Sequence, residues 1–230
     1  MTSMKALHVR LEALSATYPY PFLKSGTILT LPAPPFSNIL GNLSACAGRA
    51  VGPGETLIGL EFESGDKAFD LERTRRLRMD NKTGRLSANR EQGLALRQFH
   101  VNPRLDLYLT QLDFERCFHS PAAAPCLGRS QDLAWICFVR PIELFAAEEG
   151  VLGPTLVRFP NTQTAGQILP PLADYFLNDR PGYTRRIGRL SRYQFVPKGA
   201  RVRSSEGFDL FHPDDHQDPD HVVVLHGLAV

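Results

Sequence analysis

The strongest constraint on this chain is the spacing of its apolar residues. They recur at every second position in short runs closed by proline and glycine, so strands carry most of the fold. In the first run, Lys5 to Ala16, Leu7, Val9 and Leu11 alternate with His8, Arg10 and Glu12, which gives one apolar and one polar face. "LIGLEFES" repeats the pattern with Ile58, Leu60 and Phe62. A third run, "RQFHVNPRLDLYLTQ", begins near Arg97. Phe99, Val101, Leu105, Leu107 and Leu109 share one parity there, and Arg104, Asp106 and Tyr108 take the other. Phe99 therefore reads as core and His100 as facing the polar side, while Pro103 implies a bulge or an edge position. The 18 glycines and 18 prolines in 230 residues fit a chain rich in turns.

One helix interrupts the strands. In "TLPAPPFSNILGNLSACAG", Pro32, Pro34 and Pro35 hold the chain extended. Ser37 then reads as the N-cap, its hydroxyl accepting from a free N–H of the first turn. Ile39, Leu40, Leu43 and Ala47 fall on one face, and Gly48 is the expected stop. Gly41, mid-helix, is expected to allow close packing on a sheet. The order strand, helix, strand, strand is the front half of a ferredoxin-like or RRM-like unit. A second helix is weakly signalled by "DFERCFHSP".

Between the second and third runs lies a segment from about Gly65 to Leu96, far longer than a hairpin loop. Its centre, "RTRRLRMDNKTGRLSANR" at residues 73–90, holds seven Lys or Arg and the single acid Asp80. "DNKTG" is a turn signal, so the segment reads as a projecting basic hairpin, with a solvated loop as the alternative. After Gln111 comes "LGRSQDLAWICFVRP", a Gly-Arg-Ser turn leading into a strand apolar on both faces (Leu133, Trp135, Ile136, Phe138), and then the short strands "TLVRF", "RLSRYQFVP", "ARVRS" and "HVVVLHGL". The fold class is thus α+β. A ferredoxin-like domain spans residues 1–112 with its hairpin insertion at 65–96, and a β-rich region at 113–230 packs against it.

A net charge of +2 announces no polyanion partner for the chain as a whole. Cys46, Cys117, Cys126 and Cys137 form no CxxC pair and match no zinc spacing, so they read as buried thiols of a reducing compartment. No charged start precedes an apolar run, and the most apolar short run, "AWICFV", is far below membrane-span length. A soluble cytoplasmic protein that contacts no membrane is the expectation.

Three features stand in order: "TLPAPPFSNILGNL" after a first strand, a long basic insertion before "LRQFHVNPRLDLYL", and "CLGRSQDLAWI". Over roughly residues 4–140 the chain resembles the Cas five family of CRISPR-associated RAMP proteins, whose hallmarks include the Pro-Pro-x-Ser helix entry and Leu-Gly-Arg-Ser. The resemblance implies a subunit of a type I effector (Cascade) complex in antiviral defence, with the insertion as the family's thumb. Its implied partners are the 5′ handle of the guide CRISPR RNA, the adjacent backbone RAMP subunit, the large subunit, and target DNA near the PAM end. No cofactor, metal or catalytic residue is implied for the non-catalytic branch.

Single-stranded RNA is held by cationic grooves and stacking platforms. Arg73, Arg75, Arg76 and Arg78 are dense enough to follow a phosphate backbone, and Arg85 and Arg97 extend that path. His100 and Arg104 sit at the foot of the insertion on the polar face. Ser37 and Asn38 open a helix whose free N–H groups suit a phosphate. Gly128, Arg129 and Ser130 offer a second backbone-lined contact or a bare structural turn. His8 and Arg10 read equally well as solvated. Two rival chemistries exist. A metal-independent endoribonuclease would use His100, Tyr108 and Lys67. A metal-dependent hydrolase would use His212, Asp214, Asp215, His216, Asp218, Asp220 and His221 of "HPDDHQDPDH", which otherwise reads as a solvated loop.

Overall fold

A computed structural model describes residues 3–23, 26–177 and 185–228; within these, the side chains of 74–76 and 88–92 lie outside the described set. The first unit comprises β1 (Ser3–Ala13), β2 (Ser15–Ala16), β3 (Gly26–Ile28), α1 (Phe36–Ala47), β4 (Ile58–Glu63), β5 (Asp66–Met79), β6 (Leu86–Val101), β7 (Arg104–Leu109) and α2 (Phe114–His119). The remainder comprises β8 (Ala134–Ala147), β9 (Glu149–Leu152), β10 (Thr155–Arg158), β11 (Gln167–Ile168), β12 (Leu172–Leu177), β13 (Arg186–Ser191), β14 (Tyr193–Val196), β15 (Ala200–Arg203), β16 (Leu210–Pro213) and β17 (His221–Val224).

The main sheet runs β15-β9-β17-β16-β8-β1-β7-β4. Its β8-β1-β7-β4 half is antiparallel throughout, with α1 connecting β1 to β4 and α2 connecting β7 to β8. Both helices bury one face on the same side of the sheet. Ile39, Leu43, Phe114 and Phe118 meet Leu7, Val9, Leu11, Leu60, Leu105 and Leu107 in one core. The sheet passes without a break from β1 through β8 into the C-terminal strands, which close a second core of Leu152, Val157, Val196, Val202, Leu210 and Val222. Ala6, Tyr108, Ile142, Leu144 and Val223 form a third cluster. β1 and β7 are therefore covered on both faces over part of their length, so the polar parity of those strands is largely buried.

Several local expectations need correction. Pro35, not Ser37, is the N-cap of α1, and no side chain bonds the cap. The Pro35 carbonyl accepts from Asn38 N–H and Ile39 N–H at 2.9 and 3.3 Å, as an N-cap carbonyl does, while Pro35 itself stays extended at ψ 151°. Gly48 does end the helix, with φ +66°. Gly41 packs against nothing: a Cβ there would meet no atom within 4 Å. The third run is two strands in two different sheets, because Asn102 at φ +47° and Pro103 turn the chain between β6 and β7. Of the four cysteines, all free, only Cys46 is buried, and Cys137 is exposed.

Candidate nucleic-acid interface

The insertion is a long antiparallel hairpin of β5 and β6, in register from Asp66↔Val101 to Met79↔Leu86 with one irregularity between Arg75 and Leu77. Its tip is the expected turn. Asp80 Oδ1 accepts from Lys82 N–H and Thr83 N–H at 2.8 and 3.0 Å, Asp80 O accepts from Gly84 N–H, and Gly84 takes φ +65°. Alternation along the strands divides the arginine run. Arg78 lies across from Ser87 and is exposed, whereas Arg73 lies across from Leu94 on the opposite face. That second face also carries the exposed Phe69, Leu71, Leu77, Met79, Leu86 and Leu96. Arg85 is exposed at the tip; the side chains of Arg75 and Arg76 lie outside the described residues.

At the hairpin foot the expected cationic path is committed to internal ion pairs. Arg97 donates from Nε and Nη2 to the two Glu72 carboxylate oxygens at 2.5 and 3.0 Å. Arg129 donates from Nη1 to Glu72 at 3.2 Å and from Nε and Nη2 to Asp132, both at 3.0 Å. The Asp132 side chain is fully buried and also accepts from Ser15 Oγ at 2.6 Å. Burial would raise the Asp132 carboxyl, but the bonds from Arg129 and Ser15 hold it below the ordinary value. The Gly-Arg-Ser turn is thus a brace between the body and the hairpin rather than an open contact. Gly128 has φ +112°, and a Cβ there would stand 1.9 Å from Thr17 O, so the backbone approach requires glycine. Ser130 is exposed beside it.

His100 overturns its expected placement. It is 1% exposed, and Nε2 bonds Leu31 O at 2.8 Å while Nδ1 bonds Ser64 Oγ at 2.9 Å. Burial pulls it down to about 4, so the ring is neutral, and it packs edge-on to Phe62. Phe99, expected in the core, is only half-buried. Parity failed here because β6 pairs with β2, β3 and β5 rather than with the main sheet. Lys67 is His100's cross-strand neighbour. Tyr108 is buried, and its hydroxyl is pushed well up by burial and then by Glu61. At the start of α1, Phe36 packs on Tyr193 and His226, leaving Ser37 and Asn38 half-buried.

His8 is not solvated either. It lies buried between Asp106 at 2.9 Å and Asp215 at 2.6 Å and stacks on Tyr108. Burial opposes its charge, yet the two carboxylates outweigh that and raise it above its ordinary value. Asp106 also takes Arg10 Nε at 2.7 Å. The "HPDDHQDPDH" segment is therefore partly a lid on the sheet, with His216 stacked on the buried His221. Among the described residues no group of three or more His, Cys, Asp or Glu is placed to hold a metal.

The strand expected to be apolar on both faces instead has Leu133 and Trp135 exposed, and it builds a polar and aromatic surface that alternation did not reveal. β8 slips by one residue between its Arg10↔Phe138 and Leu11↔Ile136 pairings, leaving Cys137 as the extra residue. The bulge puts Trp135 and Phe138, three apart, on the face that carries Glu12 and Arg10. Phe138 is flanked by the guanidinium of Arg140 at 4.0 Å and that of Arg10 at 5.0 Å from its ring centre. Arg104 joins the same face, paired to Glu63 at 2.6 Å.

No protein-family profile matches the sequence, and no curated protein matches it. Solved structures do. A chain of a CRISPR RNA-guided surveillance complex superposes with TM-score 0.57 at 17% identity, over 86% of this chain and 91% of that one. A CRISPR protein from Archaeoglobus fulgidus superposes with TM-score 0.53 at 11% identity, over 98% of this chain and all of that one. The chain has the fold of CRISPR-associated proteins. No helix among the described residues is long and apolar enough to cross a membrane.

Proposed function

We propose that this chain is an RNA-binding subunit of a type I CRISPR effector complex, a RAMP protein of the Cas five kind that holds the 5′ handle of the guide RNA. The observation that carries the reading is the long β5–β6 hairpin with exposed Arg78 and Arg85, set on a fold shared over nearly its whole length with a chain of an RNA-guided surveillance complex. The antiparallel order β8-β1-β7-β4 with its two helical connections supports a ferredoxin-like unit, and the hairpin serves as its thumb. In this reading the hairpin's apolar face meets the adjacent backbone subunit and its opposite face meets the guide. The large subunit and target DNA near the PAM end are further partners.

A non-catalytic role fits the geometry better than ribonuclease chemistry. His100 has both ring nitrogens engaged and is neutral, Tyr108 is buried, and neither stands ready to take a 2′-OH proton. The test is incubation with repeat RNA in EDTA. Binding without cleavage is expected, and Arg78→Ala with Arg85→Ala should flatten the log–log salt slope by about 0.7 per lost phosphate contact. Absence of handle binding at low salt refutes the proposal; cleavage in EDTA replaces it with the endoribonuclease.

A further inference from the structure

We propose that the open sheet face beside the hairpin foot carries a nucleobase pocket that seats one unpaired guanine of single-stranded RNA. The inference rests on the RNA-binding reading above and adds to it a site and a base preference. Four strands line up Trp135, Glu12, Arg104 and Glu63 as successive cross-strand neighbours. With Ala13, Ser64, Gly65, Asn102 and Pro103 they line an open pocket of about 480 Å³, within the range of small-ligand sites.

Each wall has a chemical reason. Trp135, the chain's sole tryptophan, lines the pocket and is 47% exposed, so about half of its large aromatic surface is open to a ligand. Unstacked RNA bases dock on such planes. Glu12 stands directly across from Trp135 and makes no ion pair among the described residues. Arg104 does not neutralise it, since its guanidinium goes to Glu63 at 2.6 Å and Asp106 at 3.4 Å. A carboxylate at the edge of a stacking plane accepts two N–H donors side by side. Guanine offers that pair from N1 and N2. Adenine offers one donor beside a lone pair, and uracil one donor between carbonyls. On the same face Arg140 and Arg10 flank Phe138; Arg10 is held by Asp106 at 2.7 Å, whereas Arg140, half-exposed and only loosely paired to Asp215 at 3.8 Å, supplies a cationic edge where a flanking phosphate would run. That extension favours a nucleic acid over a single cationic side chain from a partner protein, which would also fit Trp135 and Glu12.

Because Trp135 is the only tryptophan, its emission reports on this pocket and nowhere else. The intact chain is titrated with short uridine oligonucleotides carrying a central guanosine, adenosine or uridine, with binding followed in parallel by a label on the RNA. The expected result is quenching of Trp135 by the guanosine oligonucleotide with at least about tenfold tighter binding than the others. Glu12→Gln, nearly isosteric and half-exposed, should abolish that preference while keeping the quench. Trp135→Ala should weaken binding in the label readout, and Trp135→Phe should largely restore it. Labelled RNA that binds while Trp135 emission stays unchanged overturns the pocket and leaves the RNA-binding reading standing. Binding in neither readout overturns both. Quenching by an arginine-rich peptide but by no oligonucleotide overturns the base assignment in favour of a protein partner.

Discussion

Replacing Arg129 by methionine separates a structural brace from an RNA contact. The substitution keeps the stem of the side chain and removes its charge. Asp132 then has a fully buried carboxylate with only Ser15 Oγ and the residue 129 backbone N–H as hydrogen-bond donors, at 2.6 and 3.2 Å. Breaking a buried pair from one side costs about 3–5 kcal/mol. The Arg129 side chain is 18% exposed and two donors remain, so the lower end applies, about 3 kcal/mol. For a chain of this size each kcal/mol moves Tm by about 2–4 °C, which gives a drop of roughly 6–12 °C. Asp132→Asn in the same background removes the stranded charge and should recover about 2 kcal/mol, a coupling that a double-mutant cycle measures directly. The assay is thermal unfolding of the four proteins together with handle-RNA affinity. The reasoning is refuted if Arg129→Met melts within 2 °C of the parent yet binds RNA at least tenfold more weakly, because the guanidinium would then serve the ligand and not the fold.

Two glycines should respond to alanine with opposite signs in urea denaturation. Gly128→Ala, forced against Thr17 O at φ +112°, should cost more than about 3 kcal/mol, whereas Gly41→Ala, with open space around it in α1, should gain about 0.5–1 kcal/mol. The buried histidines give a signed pH dependence. His100 and His226, both held near 4 by burial, are neutral in the fold but charged in the unfolded chain below pH 6.5, so each contribution is whole above 6.5 and lost as pH falls toward 4, by about 3 kcal/mol. His8, raised, acts oppositely: its contribution is whole below 6.5 and lost as pH rises through its folded value. His100→Asn should flatten the acid limb of a Tm–pH profile and His8→Gln the neutral-to-alkaline limb; a parent profile flat from pH 4 to 6.5 refutes the assignment.

The parts of the fold that were legible are those governed by short-range rules. Leu7, Val9 and Leu11, and likewise Ile58, Leu60 and Phe62, do line the core, because a strand covered by helices on one side must alternate. The Asp80–Gly84 turn and the Gly48 stop follow from side-chain and backbone geometry within a few residues. Misreadings arose where two distant segments meet. His100 looked polar-facing because Arg104 and Tyr108 share its parity, but Asn102 and Pro103 break the chain between them and place His100 in another sheet. His8 looked solvated because nothing nearby says that Asp215, 207 residues on, will fold over it.

The same logic explains why the interface was legible as composition and not as arrangement. Seven basic residues between Arg73 and Arg90 marked the hairpin correctly as an unusual cationic element. Strand alternation then assigns neighbours in sequence to opposite faces, so density along the chain does not become density on one surface, and Glu72 consumes Arg97 and Arg129 at the foot. The Trp135–Phe138 face shows the converse. Their odd spacing places them on opposite faces of a regular strand, and only the extra residue Cys137 brings them together. A one-residue slip has no local signature, since it is set by how β8 must pair with β1 to keep Leu11 inward. The residues that stack and the residues that carry charge are therefore sorted by register. In a chain built of strands, register is the step between reading a composition and locating a binding surface.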